Sequence, residues 1–412
     1  MAKLKVCGSR TCILAFMQYR KLKADKIFDG FGWFDDNSVL VLEPNGTIRG
    51  IVHQDEAGEG IEELKGILTP GFINSHCHLE LSHLKNSMPT REGLVNFLIT
   101  VIKNRSAKKE EIVENIVAAE KELFANGVVA VADICNTDHA ITIKGKSELY
   151  WHNLIEVINL YDENKQKQIN HFNLVLEQYK ILNTEKLTTT LTPHAPYSIS
   201  AETFKALNKA TANSIISIHN QEGSGENELF KTGKGDFLKL FAALGEAKSP
   251  FAITGKSSLQ TWLPYFTNGQ TILLVHNTYI QEEDIVFAKT YSEASGLKIV
   301  YCLCPNANLY IENTLPPIDL LLKHNCKIVI GTDSYASNWQ LSIASELKTL
   351  SDNFPHIPLQ SILQWGTING AEVLGWSNAL GSFKNGKKPG VVLIETNTLN
   401  KDLLTGKSRR LI

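Results

Sequence analysis

The stretch LTPGFINSHCHLELSHL, residues 68–84, places His76, His78 and His83 within eight residues, directly after a Pro-Gly pair. The apolar run after this break predicts a short strand that ends at the first two histidines. Because His76 and His78 are two residues apart, both imidazoles would point to one face of that strand. Imidazole nitrogens suit zinc and similar metal ions. A His-X-His pair alone is a weak signal, and His83 is expected to be a loop or first-turn residue.

The middle of the chain alternates between helical patterns and short apolar runs. KEEIVENIVAAEKELFANG, for example, has helical spacing and is followed directly by VVAVADI. The cycle recurs in HFNLVLEQYKIL with LTTTLTPHAPYS, AETFKALNKATAN with SIISIHNQE, LQTWLPYFTNG with TILLVHN, QEEDIVFAKTYSEASG with LKIVYCLCP, and IDLLLKHN with CKIVIGTDS. Repetition of a helix and then a buried strand predicts a parallel β/α barrel.

The two ends of the chain have a different pattern. Residues 24–70 contain short β-like runs separated by turns, and Pro44-Asn45-Gly46 is typical of a hairpin turn. KPGVVLIETN and SRRLI form a short β-like tail that could pair with these strands. The predicted fold is therefore an α/β protein, a (β/α)8 TIM-like barrel with a small β-sandwich built from both chain ends. The expected boundaries are 1–67 and 376–412 for the sandwich and 68–375 for the barrel.

Polar residues that can bind metals or transfer protons follow the predicted barrel strands. They are His76, His78, His194, His219, His276 and Asp333. In β/α barrels the carboxyl ends of the strands carry the chemistry. Any one of these histidines is better explained as structural, but four strand ends with histidine and one with aspartate, in barrel order, form a strong signal for a metal-dependent site.

Composition excludes some classes of partner. The formal net charge is −2, so no global basic field points to nucleic acid or a membrane surface. No apolar run approaches the roughly 18 residues that span a bilayer.

The apolar run Cys12–Met17 is too short for a convincing secretion signal, and the seven scattered cysteines are expected to be reduced thiols. We therefore expect a cytoplasmic protein with a small-molecule substrate; a homodimer is left open.

Six motifs carry a resemblance to a known family: PGFINSHCHLE, PHAPYS, SIHNQE, LLVHN, CPNAN and GTDS. On these motifs the chain resembles the amidohydrolase superfamily, in its mononuclear deaminase and chlorohydrolase branch, over roughly residues 24–392. SHCHLELS, LLVHNTYI and GTDSYASNWQLSIASEL are similar to aminodeoxyfutalosine deaminases of the alternative menaquinone pathway. The adenosylhomocysteine and methylthioadenosine deaminases are the other similar group.

The resemblance implies a set of metal ligands and a set of catalytic residues. His76, His78, His219 and Asp333 would bind one divalent transition metal, with zinc expected first and iron or manganese as alternatives. Glu222 would be the proton shuttle, His276 would lie beside the metal-bound water, and Asp333 would also accept a proton. Binuclear relatives use a lysine on the fourth strand, and LTTTLTPHAPYS has none, which favours a single metal.

The resemblance also implies substrate contacts, at His194, Glu222, Glu80 and Asn308. His194 lies in TPHAPYSIS, which resembles the substrate-holding segment of adenosine-type deaminases. Glu80 would share the face of His76 and His78, although a helix-capping or lysine-pairing role is an equal alternative. Asn308 keeps its place in CPNANLY, whereas Ala307 and Tyr310 stand where the branch commonly has serine and lysine.

The predicted function is metal-dependent hydrolytic deamination of a purine-like ring, with an aminodeoxyfutalosine- or adenosine-type nucleoside as the leading substrate. The alternatives are a related amidohydrolase acting on another ring amine, a chloro-triazine or a cyclic amide, and a non-catalytic ligand-binding barrel. The glycine-rich segment 223–235 is expected to close over the substrate, and part of the apolar stripe that follows it is expected to pack on the barrel. That stripe comprises Phe237, Leu238, Leu240 and Phe241.

Overall fold

Strands and helices alternate along most of the chain in a computed structural model, which describes residues 19–246, 248–397 and 404–412. The run assessed above as a secretion signal lies outside the described residues. The strands are β1 Arg20–Lys23, β2 Lys26–Phe28, β3 Trp33–Phe34, β4 Ser38–Leu42, β5 Ile48–His53, β6 Ile61–Glu63, β7 Ile67–Pro70, β8 Phe72–Cys77, β9 Val128–Cys135, β10 Tyr150–Val157, β11 Leu187–Pro193, β12 Ile215–Asn220, β13 Thr271–His276, β14 Lys298–Leu303, β15 Ile328–Ile330, β16 Val391–Thr396 and β17 Leu404–Arg410. The α-helices are α1 Gln54–Ala57, α2 Leu94–Asn104, α3 Lys109–Ala125, α4 Ile141–Lys144, α5 Lys165–Lys180, α6 Ala201–Ala210, α7 Gly225–Thr232, α8 Phe237–Ala243, α9 Ser258–Trp262, α10 Glu282–Ser295, α11 Pro305–Ile311, α12 Ile318–Lys323, α13 Ile343–Asn353, α14 Leu359–Trp365 and α15 Ile368–Val373.

The strands β8 to β15 form two parallel sheets of four, in the orders β11-β10-β9-β8 and β12-β13-β14-β15. Backbone hydrogen bonds join the sheets at both edges. The Thr332 and Asp333 amides donate to the His76 carbonyl at 3.0 and 3.1 Å, and the His219 amide donates to the His194 carbonyl at 2.9 Å. The predicted α/β fold with a TIM-barrel-like strand arrangement is therefore confirmed.

A buried ion pair ties β9 to the residues that follow β8. Lys144, which is fully buried, donates to an Asp133 carboxylate oxygen at 2.5 Å and to the Asn153 side chain at 2.9 Å. The other Asp133 oxygen accepts from the backbone amide of Leu79 at 2.8 Å. Because a buried charge is tolerated only when it is paired and hydrogen-bonded, this network fixes the backbone directly after His78.

The two ends of the chain meet in two further sheets, in the orders β5-β4-β1-β6 and β17-β16-β7-β2-β3. As predicted, the C-terminal tail pairs with the N-terminal strands, and Val391 of β16 lies opposite Pro70 of β7. Both sheets contribute to one buried apolar cluster, which includes Leu22, Leu40, Leu68 and Leu393. Burial of this shared face stabilises the sheets, since short strands are marginal in water on their own.

Gly71 separates β7 of the end sheets from β8, the first barrel strand. Its amide donates to the Pro389 carbonyl at 3.1 Å. A Cβ atom at this position would lie 2.2 Å from Val129 Cγ1 and 2.6 Å from the Pro389 oxygen. The glycine of the Pro-Gly pair is therefore required by close packing at the point where the chain enters the barrel.

The described part of the chain contains no helix that is both long and apolar enough to cross a membrane. Cys77, Cys135, Cys302, Cys304 and Cys326 are free thiols, as predicted. The other two cysteines of the sequence lie outside the described residues.

We expect Gly71→Ala to lower the free energy of unfolding by about 1–3 kcal/mol, because the new methyl group overpacks a rigid site. Gly32→Ala is the control, since a Cβ atom there meets nothing within 4 Å, and its effect should stay below about 1 kcal/mol. Urea denaturation of both variants measures the difference. Equal stabilities would contradict the packing argument for Gly71.

Candidate active site

Four side chains from β8, β12 and the residues after β15 converge on one point. His78 Nε2 lies 3.2 Å from the Nε2 atoms of both His76 and His219. Asp333 Oδ1 lies 3.6 Å from His76 Nε2 and 3.5 Å from His78 Nε2. All four residues are buried, and their ligand atoms lie within 4.8 Å of one another. The structure thus brings together the four predicted metal ligands.

The protonation of these side chains fits a bound cation. His219 Nδ1 lies 2.8 Å from the His194 carbonyl, which can only accept, so the Nδ1 atom carries the proton and Nε2 has a lone pair. Burial lowers the pKa of His78 well below its ordinary value and that of His219 to about 4, so both rings are neutral. Three converging imidazole nitrogens and one carboxylate oxygen fit a divalent transition metal.

Asp333 is an ionised carboxylate despite its burial. Burial alone would raise its pKa, but the neighbouring His76, His78 and His276 side chains hold the pKa well below its ordinary value. Ser337 Oγ donates to Asp333 Oδ2 at 2.7 Å. The Asp333 backbone has a φ of +59°, a conformation that non-glycine residues rarely adopt outside functional or strained sites.

Glu222 and His276 lie next to this cluster. His276 Nε2 is 3.5 Å from Glu222 Oε1 and 3.9 Å from Asp333 Oδ2, and its backbone φ is +72°. Burial lowers the pKa of His276 to about 3, and neither ring nitrogen has a hydrogen-bond partner among the described residues. Burial, and then the negative charge of Asp333, raise the pKa of Glu222 well above its ordinary value. The pKa values of the two carboxyl groups are therefore shifted in opposite directions.

Glu226 holds the backbone of the Glu222 segment. Its buried carboxylate accepts from the amides of Gln221 at 3.0 Å and Glu222 at 3.3 Å, and Gln221 has a φ of +47°. Most of the segment 223–235 is helix α7, and none of its residues lines the cavity above the cluster. In this structure the segment 223–235 lies outside the cavity lining and its Glu226 anchors the backbone of Glu222. Its closure over a substrate stays a prediction.

A cavity of about 320 Å³ opens directly above the cluster. His78, His194, His219, Glu222 and Asp333 line its polar end. Its apolar wall comes from α2 and α8 and includes Phe97, Leu98, Val101, Leu240 and Phe241. Two members of the predicted apolar stripe, Leu240 and Phe241, thus face the cavity.

Two residues predicted to bind substrate do not line this cavity. The Glu80 carboxylate accepts from the backbone amides of Asn136 at 3.1 Å and Thr137 at 3.2 Å, so it holds the loop after β9. The Asn308 side-chain amide donates to the Thr278 hydroxyl group, and its Oδ1 atom has no hydrogen-bond partner among the described residues. Glu80 therefore supports a neighbouring loop, whereas the Asn308 side chain lies beside Thr278 and His276. Tyr310, which stands where the deaminase and chlorohydrolase branch commonly has lysine, donates its hydroxyl hydrogen to the Met88 carbonyl at 2.8 Å.

Two charged residues that line the cavity are absent from the sequence prediction. Glu156 lies near the carboxyl end of β10, and Arg105 directly follows α2. The signal for Glu156 is a carboxylate at the end of the apolar run YWHNLIEV, the same signal that singled out the other strand ends. No comparable pattern marks Arg105, since a single arginine after a helix is common.

The profile of the Amidohydrolase family matches residues 67–409, which is most of the chain. The chain belongs to the amidohydrolase family. This amidohydrolase is 24% identical over 358 residues to the 5'-deoxyadenosine deaminase of Methanococcus vannielii. The alignment covers 83% of this chain and 78% of that relative. It is also 24% identical over 358 residues to the 5-methylthioadenosine/S-adenosylhomocysteine deaminase of Thermoanaerobacter pseudethanolicus. That alignment covers 81% of this chain and 74% of the relative.

The amidohydrolase fold is also found in the crystal structure of Helicobacter pylori aminofutalosine deaminase in complex with methylthio-coformycin. The two structures have a TM-score of 0.78 at 21% sequence identity, over 95% of this chain and 100% of that chain. The family resemblance predicted from the motifs is thus confirmed, and the structural likeness supports the TIM-barrel-like fold.

We expect the isolated protein to hold about one transition metal ion per chain, and His78→Ala or Asp333→Ala to remove it. His83→Ala is the matched control, because the His83 ring nitrogens contact only the backbone carbonyls of Glu80 and Arg105. Elemental analysis of the purified variants measures metal content. A His78→Ala protein with a full metal complement would exclude this cluster as the metal site.

Proposed function

We propose that this amidohydrolase is a metal-dependent hydrolytic deaminase that removes an exocyclic amine from a purine-like ring. The observation that carries the proposal is the position of Glu222 and His276 beside the His/Asp cluster, at the polar end of a cavity with apolar walls. The deaminases named among its relatives support a nucleoside substrate, either adenosine-type or aminodeoxyfutalosine-type. An aminodeoxyfutalosine-type substrate would place the protein in menaquinone biosynthesis.

In this proposal His76, His78, His219 and Asp333 hold the metal, with zinc the first candidate and iron or manganese the alternatives. A divalent metal bound there would lower the pKa of a water molecule toward about 7 and so supply a nucleophile. The lone pair on His219 Nε2, set by the His194 carbonyl, keeps that imidazole available as a ligand. β11, Leu187–Pro193, contains no lysine, in agreement with a single ion.

The remaining residues move protons and stabilise charge. Asp333 is ionised and accepts a proton from the attacking water, while Glu222 is protonated and donates to the ring nitrogen beside the attacked carbon. His276 Nε2, which has no partner among the described residues, is placed to hydrogen-bond the oxygen that adds to the ring. The proton held by Asp333 then passes to the amine, the carbon–nitrogen bond breaks and ammonia leaves. The ring keeps the oxygen as a carbonyl group, and the remaining hydroxyl proton returns to Glu222.

His194 would orient the ring. Its Nδ1 lies 2.8 Å from the Ser198 hydroxyl group, and burial lowers its pKa to about 3, so the ring is neutral. It lines the cavity next to Glu222, and a neutral imidazole held by Ser198 presents its second nitrogen to a ligand. We infer that His194 and Glu222 contact the same ring. Glu80 would act indirectly, through the loop that it holds, and Asn308 through its neighbours Thr278 and His276.

The finer description of the fold is part of the same proposal. We infer a closed (β/α)8 barrel at residues 68–375 and a β-sandwich that combines residues 1–67, as far as they are described, with residues 376–412. The hydrogen bonds at both barrel edges and the apolar cluster shared by the two end sheets support it. The assembly of two copies of this chain into a homodimer stays a prediction.

The substrate class is tested by ammonia release from a panel of compounds. We expect the metal-loaded protein to deaminate at least one 6-aminopurine nucleoside with a kcat/KM of about 10⁴ M⁻¹s⁻¹ or more. Chloro-triazines, cyclic amides and other ring amines complete the panel. Preferred turnover of one of those compounds would replace the nucleoside proposal, and no turnover of any compound would favour a non-catalytic ligand-binding barrel.

Glu222→Gln should keep the metal and most of the substrate affinity but reduce kcat by roughly 10²- to 10⁴-fold, because glutamine has a similar shape and cannot transfer a proton in this way. Glu228→Gln, at an exposed carboxylate on α7, is the control and should leave kcat near that of the wild type. Steady-state kinetics and metal analysis of both variants provide the comparison. Near-normal turnover by Glu222→Gln would transfer the proton role to another residue, with His276 the first candidate.

A further inference from the structure

Glu156 has a buried carboxylate oxygen that no described residue uses. The residue is 3% exposed and lines the cavity above the His/Asp cluster. Its Oε2 atom accepts from the Asn136 side-chain amide at 3.0 Å, whereas Oε1 has no hydrogen-bond partner among the described residues. A buried carboxylate oxygen without a donor is costly, so an unpaired one beside a cavity indicates that a ligand supplies the donor.

The neighbouring groups do not account for this oxygen. His219 Nδ1 is 3.9 Å away, and its proton is already donated to the His194 carbonyl at 2.8 Å. Arg105 lines the same cavity, but no ion pair joins it to Glu156 in the part of the chain that the structure describes. Glu156 is therefore not the carboxylate that orients the proposed metal ligand His219, a role that would require a hydrogen bond between them.

The chemistry of the proposed substrate class narrows the choice of donor. Burial raises the pKa of Glu156, and the neighbouring His219, Asn136 and Arg105 act against that shift; in its ionised form the carboxyl group only accepts hydrogen bonds. In a 6-aminopurine nucleoside the ring nitrogens that do not carry the sugar are acceptors, and the one amino group would lie at the metal, beside Glu222 and Asp333. The hydroxyl groups of the sugar are then the donors that remain. β10 and β11 are adjacent strands, so Glu156 lies beside His194, which we place against the ring.

We infer that Glu156 is a specificity-determining residue whose free oxygen accepts a hydrogen bond from a sugar hydroxyl group of the substrate. The inference rests on the proposed deaminase function. The Glu156 contact would let the enzyme distinguish a ring that carries a sugar from a free base. Its consequence is that substrates without these hydroxyl groups leave the Glu156 carboxylate unpaired in a closed cavity.

The test compares the best ribonucleoside of the panel with its 2'-deoxy, 3'-deoxy and 2',3'-dideoxy forms. The wild type should prefer the ribonucleoside over the dideoxy compound by roughly 10- to 100-fold in kcat/KM, as expected for a hydrogen bond to a charged group. Glu156→Gln should reduce that preference at least about fivefold, mainly through KM for the ribonucleoside, with metal content unchanged.

Glu228→Gln is the control, because Glu228 is an exposed carboxylate on α7 that does not line the cavity and does not contact the Asn136 loop. It should leave kcat/KM for all four nucleosides near the wild-type values. An unchanged preference in Glu156→Gln, or a loss of metal that parallels its loss of activity, would overturn the inference and leave the deaminase proposal intact.

The wild type alone also decides the question if Glu156→Gln does not fold. Equal kcat/KM for the ribonucleoside and the dideoxy compound would overturn the inference without any variant. If the wild type releases ammonia from no nucleoside at all, the proposed function itself fails, which is a different result from equal turnover of all four compounds.

Discussion

The convergence of three imidazole nitrogens and one carboxylate is the constraint on which the site depends. Nitrogens separated by 3.2 Å cannot all carry protons toward one another, so lone pairs face the centre of the cluster, as the binding of a cation would require. The four side chains come from both parallel sheets, and the edge between β8 and β15 runs through the cluster. The packing that brings the sheets together is therefore the same packing that assembles the site.

Much of the surrounding structure holds this arrangement in place. Lys144 and Asp133 fix the backbone after His78, and Glu226 fixes the backbone of Glu222. Gly331 belongs to the same set, because a Cβ atom there would lie 2.7 Å from His76 Cβ. Each contact is buried, so each contributes to the positions of the side chains that bind and react, as well as to stability.

The fold shifts the pKa values of the two carboxyl groups of the site in opposite directions. Burial raises both values, but the neighbouring histidines hold the pKa of Asp333 well below its ordinary value, whereas Asp333 and other carboxylates raise the pKa of Glu222 further. Paired titratable groups whose surroundings separate their pKa values are typical of sites that use one group as an acid and the other as a base. The order of residues in the chain does not contain this difference, because it arises from the charges that the fold places around each group.

The sequence alone determined the fold class and the residues of the metal cluster. Those features depend on short-range patterns, namely helix and strand periodicity and the two-residue spacing of His76 and His78 at the end of a strand, together with a family resemblance in short motifs. Only the tertiary structure shows which contacts Glu80, Glu156 and the segment 223–235 make. Glu80 and Glu156 both contact Asn136, which is 56 residues from one and 20 from the other, and only one of them keeps an oxygen free. A sequence pattern shows which residues can accept a hydrogen bond, but the neighbours that use up that capacity come from distant parts of the chain, so the free acceptor is visible only after folding.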